Sequence, residues 1–219
     1  MRKVSRRAAV GVAVTGAVAA GVFAGQWLGR TPGTARAATA IAGAPLFNDP
    51  DAPVLGNPHG ILPMAEFFDY RCPFCRRMHP LVRRLLAEEP DIRFIAKEWP
   101  VFGGPSITAA RVALAANWQG RFAAVNDALF ASAGALDDAA IRAAAVAAGV
   151  DMARLDSDLA TRSAALQTML GNVAEQAASL GLQGTPGFVI GSYLVPGALP
   201  FADLRRVVAE ARAKLQPAR

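Results

Sequence analysis

Two residues in this 219-residue chain can do soft nucleophilic chemistry, and they stand three apart: Cys72 and Cys75, in "EFFDYRCPFCRRMHP". A disulfide across a two-residue gap closes a tiny loop, so it constrains the unfolded chain less than the long loops that structural bridges close. The pair is better suited to reaction than to stapling. A thiolate is the attacking form of cysteine, and it is favoured where unpaired backbone N–H groups open a helix. Pro73 fits the first helical turn, where a missing N–H costs nothing. Arg71, Arg76 and Arg77 add positive charge beside the pair. Such a setting predicts a Cys72 pKa of roughly 4.5–6.5, against about 8.5 for a free thiol.

The same stretch also permits a metal. Cys72, Cys75 and His79 follow at i, i+3 and i+7, with Met78 adjacent, and soft sulfur ligands would suit copper(I) or zinc. A closed structural site wants a fourth protein ligand, and the only other histidine is His59. The bland alternative for His79 is a half-exposed helix residue.

The elements that must hold the cysteines follow from periodicity. Residues 61–70, "ILPMAEFFDY", read as a buried strand carrying Glu66, with Asp69 near its end. Met78, Leu81, Val82, Leu85 and Leu86 give a helical stripe from Pro73 to about Glu89, with a kink expected at Pro80. A second strand is expected within residues 91–103, so that the three form a βαβ unit. Residues 104–180 are Ala-rich, helix-periodic and capped by Asp or Ser, which predicts four or five helices and no strand. "GTPGFVIGSYLVPG" then reads as a hairpin turning at Gly191-Ser192, followed by a helix from Phe201 to Leu215. Residues 41–60 form a Pro- and Gly-rich lead-in with at most one short edge strand. Met64 and Met169 are expected in the core, Trp99 and Trp118 at the joint between strands and helices, and Asp137-Asp138 at a helix start.

Charge excludes one class of partner. The net charge of +6 arises in residues 1–40, which hold six basic residues and no acid; the rest is balanced and offers no field to steer a nucleic acid. That N-terminal stretch has a cationic start, an apolar run from Ala8 to about Leu28 and Ala-x-Ala sites beyond it, the layout of an export signal. Its length equally allows an uncleaved membrane anchor. In either case the body meets an oxidising compartment, where a cysteine pair is stable as a disulfide.

Taken in order, "EFFDYRCPFC" after a strand, Pro80 five residues past the second cysteine, the interposed helices and "GTPGFVIG" resemble DsbA-like thiol:disulfide oxidoreductases of the thioredoxin superfamily, in their exported bacterial branch. The resemblance covers about residues 45–215. It implies an α/β thioredoxin fold over 61–103 and 181–215, with 104–180 inserted as a helical subdomain. It also implies that Cys72 is the exposed attacking cysteine and Cys75 the buried resolving one, and that Pro186 is cis with Thr185 beside the sulfurs. Thr185, Pro186, Pro73 and Phe74 would then contact an extended substrate peptide. Glu66 falls where the family carries an acid that relays the proton of Cys75; as a strand residue alone it could equally reach solvent. Implied partners are unfolded proteins with cysteines and a DsbB-like membrane redox partner; no cofactor is implied, the location is periplasmic, and no dimerisation segment is evident. Phe74 stands where the strongest oxidants of the family carry histidine, which leaves an isomerase or reductase of the same fold open beside the oxidase.

Overall fold

The computed structural model describes residues 36–37, 45–132 and 135–215; the export-signal reading of the N-terminal stretch lies outside these, apart from residues 36 and 37. Arg36–Ala37 forms a two-residue strand, β1, that the sequence did not mark. The lead-in supplies a 3-10 turn at Pro45–Phe47 and a short strand, β2, at Val54–Gly56.

The centre of the sheet is β3, Leu62–Phe68, whose apolar side chains are buried on both faces as expected of a strand covered by helices. It pairs in parallel with β4, Ile92–Glu98, in register from Leu62 opposite Ile92 to Phe68 opposite Glu98. The crossover between them is α1, Pro73–Glu88, which runs unbroken through Pro80. On the other side β5, Gly187–Ile190, runs antiparallel to β3 and turns at Gly191 into β6, Tyr193–Pro196. Gly191 has φ 54°, a left-handed conformation that suits glycine in a tight hairpin. The sheet order is β1-β6-β5-β3-β4-β2.

Five helices occupy the stretch between the halves: α2 Pro105–Asn117, α3 Phe122–Ala131, α4 Asp138–Ala147, α5 Met152–Thr161 and α6 Ser163–Ser179. Asp137 and Asp151 cap α4 and α5 by accepting from the N–H groups of Ala140 and Arg154. Alanines at 109, 110, 113, 115 and 116 are buried along α2, and their small side chains let neighbouring helices approach closely. The block does not keep a core to itself. Ile141 and Leu155 belong to one apolar cluster with Met64, Cys75 and Val82, so helices and sheet share an interior. The last helix, α7 Phe201–Leu215, buries Leu204, Val207, Val208 and Ala211 in that same cluster. The opposite sheet face is covered by Phe47, Val173 and Leu182 over Phe67 and Val189.

Candidate active site

Cys72 is the N-cap of α1 and Pro73 its first residue, so the first turn directs its N–H groups at the sulfur. Cys72 Sγ accepts from the N–H of Cys75 at 3.5 Å and donates to the carbonyl of Thr185 at 3.2 Å. Both cysteines are free thiols. A hydrogen bond from the Cys75 side chain is the main influence that lowers the Cys72 pKa, from 9.0 to about 6; burial opposes it, and the Thr185 side chain and the N–H groups of Cys75 and Phe74 lower it further. Cys75 goes the other way. Burial first, then its bond to Cys72 and the charge of Glu66, push its thiol far above the ordinary range.

One expectation fails: Cys72 is not exposed. Its relative exposure is 2%, close to the 0% of Cys75, because its sulfur points at the Thr185 carbonyl and packs among the apolar core residues. The two sulfurs differ in hydrogen bonding and charge far more than in access to water.

The Thr185–Pro186 bond is cis, and Thr185 meets Cys72 across 113 residues of sequence. Thr185 Oγ1 is buried and has no partner while Cys72 is a thiol. A Cys72 thiolate would supply that missing acceptor, which agrees with the lowering influence of the Thr185 side chain. After Pro186 the space is tight: a Cβ on Gly187 would lie 2.8 Å from the Leu182 methyl groups, which would have to shift to admit it. Pro73 and Phe74 are exposed beside the pair, and the guanidinium of Arg77 lies 4.4 Å from the Phe74 ring centre.

Glu66 takes the buried alternative. It is 5% exposed, and burial, with a smaller contribution from the Cys72 charge, raises its pKa from 4.5 to about 8. His79 is drawn away from the sulfurs: its Nε2 lies 2.9 Å from Asp127 Oδ1 and its ring stacks on Phe130 at 4.4 Å. The metal triad of Cys72, Cys75 and His79 is therefore not assembled, and no cluster of three His, Cys, Asp or Glu residues placed to hold a metal occurs among the described residues.

The bonding of three supporting groups escaped the sequence reading. Asp69 accepts from Arg71 N–H at 2.7 Å, Ser106 Oγ at 2.8 Å and Phe102 N–H at 3.0 Å, and its carbonyl accepts from Cys72 N–H at 3.0 Å. The "DYR" turn was the available signal for its local half, since aspartate commonly bonds the backbone two residues on. Tyr70 Oη contacts Glu98 Oε1 at 2.6 Å and Asn126 Oδ1 at 3.1 Å. Burial holds the Glu98 carboxyl well above the usual range, so it keeps its proton. Glu98 can then donate to Tyr70 while Tyr70 donates to Asn126. Arg76 binds the carbonyls of Tyr70, Phe130 and Ser132, joining the active-site turn to α3.

Comparison with known proteins follows the same lines. A thioredoxin family model matches residues 48–210. The chain is similar to a thioredoxin-like oxidoreductase from Silicibacter pomeroyi DSS-3, with 39% identity, a TM-score of 0.73 and coverage of 77% of this chain and 96% of that one. A periplasmic thioredoxin-like protein from Salmonella enterica serovar Typhimurium gives 32%, 0.67, 78% and 95% in the same order. The thiol-disulfide exchange protein alpha-DsbA2 of Wolbachia pipientis gives 25%, 0.72, 76% and 90%. Among curated proteins, Na(+)/H(+) antiporter NhaA 1 of Mycolicibacterium gilvum is 29% identical over 162 residues, which are 73% of this chain and 26% of that protein. The chain thus spans about a quarter of the length of the curated relatives it matches, and among the described residues no helix is long and apolar enough to cross a membrane. On these matches the chain belongs to the thioredoxin superfamily, in its DsbA-like group of thiol-disulfide oxidoreductases.

Proposed function

We propose that this protein forms disulfide bonds in unfolded or partly folded proteins outside the cytoplasmic membrane, using the Cys72–Cys75 pair as the oxidant. The opposed pKa shifts of the two sulfurs carry this reading. With Cys72 held to about 6, its thiolate is a stable leaving group at neutral pH, whereas a Cys75 thiolate is strongly disfavoured. A substrate thiolate attacks Cys72 of the enzyme disulfide; the Cys72–Cys75 bond breaks, and the sulfur of Cys75 leaves with the electron pair and takes up a proton. A second substrate thiolate then attacks the substrate sulfur of the mixed disulfide and releases Cys72 as thiolate. The substrate is oxidised by two electrons and the enzyme pair is reduced. Glu66, buried and protonated below about pH 8, is the group that supplies the proton to Cys75.

Substrate breadth is supported by the surroundings. Phe74, Val101, Phe102 and Ile107 are exposed at 50%, 43%, 52% and 41%, and Asp69 ties the Phe102 backbone to the cysteine turn. Apolar side chains in that position suit unfolded chains rather than one polar ligand. Regeneration needs an electron acceptor, for which the family resemblance points to a DsbB-like membrane protein. A periplasmic site fits the exported Salmonella relative and the signal-like N-terminal stretch.

The test combines thiolate titration by ultraviolet absorbance, glutathione equilibration and refolding of a reduced, disulfide-rich protein. A Cys72 pKa near 6 with stoichiometric oxidation of the substrate supports the oxidase. Replacing Cys75 with Ala should trap mixed disulfides on Cys72. A Cys72 pKa near the free-thiol value of about 8.5, with a potential near that of thioredoxin, rejects the oxidase in favour of a reductase.

A further inference from the structure

The proton that Cys75 exchanges has to come from somewhere beyond Glu66. Glu66 is 5% exposed, and a single carboxyl holds at most one proton in reserve. It does face a cavity of about 10 Å³, the room that one water-sized sphere needs. Leu55, Phe68, Val82, Leu86, Phe94 and Phe130 make most of the wall apolar. The remaining lining residues are His79 and Arg83 of α1 and Asn126 of α3.

These polar groups are not equivalent. The Arg83 guanidinium only donates hydrogen bonds and Asn126 carries an amide, so neither relays a proton. Asn126 is moreover engaged by Tyr70, which is bonded to Glu98 behind it. His79 alone both lines the cavity and carries an imidazole, the side chain suited to passing a proton. Its side chain is 16% exposed, so it reaches from the cavity wall to solvent. Asp127 of α3 holds Nε2 at 2.9 Å and also pairs with Arg83 at 3.4 Å, so Nδ1 is the ring nitrogen left to exchange a proton. Stacking on Phe130 fixes the plane of the ring.

We infer that His79, positioned by Asp127 and Phe130, is the solvent end of a proton path that runs through the cavity water to Glu66 and so to Cys75. During reduction of the enzyme, the departing Cys75 thiolate takes the Glu66 proton. The carboxylate left behind is reprotonated through the water by the His79 imidazolium, and the neutral imidazole recovers a proton from bulk solvent. During reoxidation each transfer runs in reverse. Burial first, and the positive charge of Arg83 with it, pulls the imidazole below its ordinary value of 6.5, while Asp127 opposes both.

The inference rests on the thiol-disulfide reading above, and the experiment separates the two. Single-turnover reduction of the enzyme disulfide by a dithiol peptide is followed against pH, in a dilute non-imidazole buffer and again with imidazole added. The proteins are wild type, Glu66→Gln, His79→Gln and His79→Phe; the last keeps an aromatic ring on Phe130 should the amide variant fold poorly. Both His79 variants are expected to react roughly tenfold more slowly at neutral pH, to recover most of that loss with imidazole, and to keep the wild-type redox potential. Glu66→Gln is expected to be slow without recovery. His79 variants that match wild type in rate and buffer dependence overturn the path, and so does a loss that imidazole leaves unrepaired. A wild-type enzyme that the peptide cannot reduce would instead overturn the thiol-disulfide reading itself.

Discussion

Glu66 sets a gradient of stability that can be measured without any substrate. Its folded pKa of about 8 lies above the ordinary 4.5, so between these values the native state keeps a proton that the unfolded chain has lost. Stability therefore falls as pH rises through that window, by about 3 kcal/mol at pH 7. Glu66→Gln should be nearly neutral near pH 4 and more stable than wild type by about that amount at pH 7 in denaturant unfolding of the reduced protein, while exchanging disulfides more slowly. Cys72 acts with the opposite sign. Its folded pKa of about 6 lies below 9.0, so its contribution is lost as pH falls through 6 and grows as pH rises towards 9. At pH 7 that amounts to about 1.4 kcal/mol in favour of the reduced form, or about 30 mV in a two-electron couple. The oxidised protein has no Cys72 thiolate and lacks this compensation.

At the scale of elements, the site depends on Asp69 more than on either strand end. Its carboxylate fixes the Val101–Phe102 loop, the start of α2 and the turn into α1. Asp69→Ala leaves two backbone N–H groups and a hydroxyl without their acceptor and should cost about 2–4 kcal/mol in urea unfolding, with slower exchange; Asp69→Asn, which keeps one carbonyl oxygen, should cost less. The parts of this architecture that were legible in sequence were local ones. The stripe of Met78, Val82 and Leu85, the Asp137 cap and the Gly191-Ser192 turn each declare themselves within a few residues. The illegible parts join distant residues: Ser106 to Asp69 across 37 positions, Tyr70 to Asn126 across 56, His79 to Asp127 across 48. No periodicity encodes such pairs. The burial of Cys72 was missed for the same reason, since the Thr185 carbonyl that faces it comes from 113 residues away. Family resemblance did reach that far for Thr185 and Pro186, but it said nothing of Asp69, Glu98 or Asn126.

Across the whole molecule, the lead-in is joined to the sheet by a buried charge. Lys97 Nζ, 0% exposed, lies 2.7 Å from Asp49 Oδ2, and Arg93 binds the carbonyl of Phe47 at 2.6 Å. Asp49→Ala would strand the lysine charge and should destabilise the protein by about 3–5 kcal/mol, whereas Asp49→Ala combined with Lys97→Met should recover most of the loss in thermal melts. Under the proposed function, the ends of the sheet bear on how the protein would meet its substrates. An enzyme for unfolded chains works among segments that readily add to any open strand, and a long bare edge would collect them. Here β2 offers three residues on one side and β1 only two on the other. Where β1 stops short, β6 ends at Pro196, which has no N–H to offer. Among the described residues an unfolded substrate would thus find little ladder to extend at either margin, so under the proposed function an extended chain would gain more by lying across Thr185 and the cysteine turn.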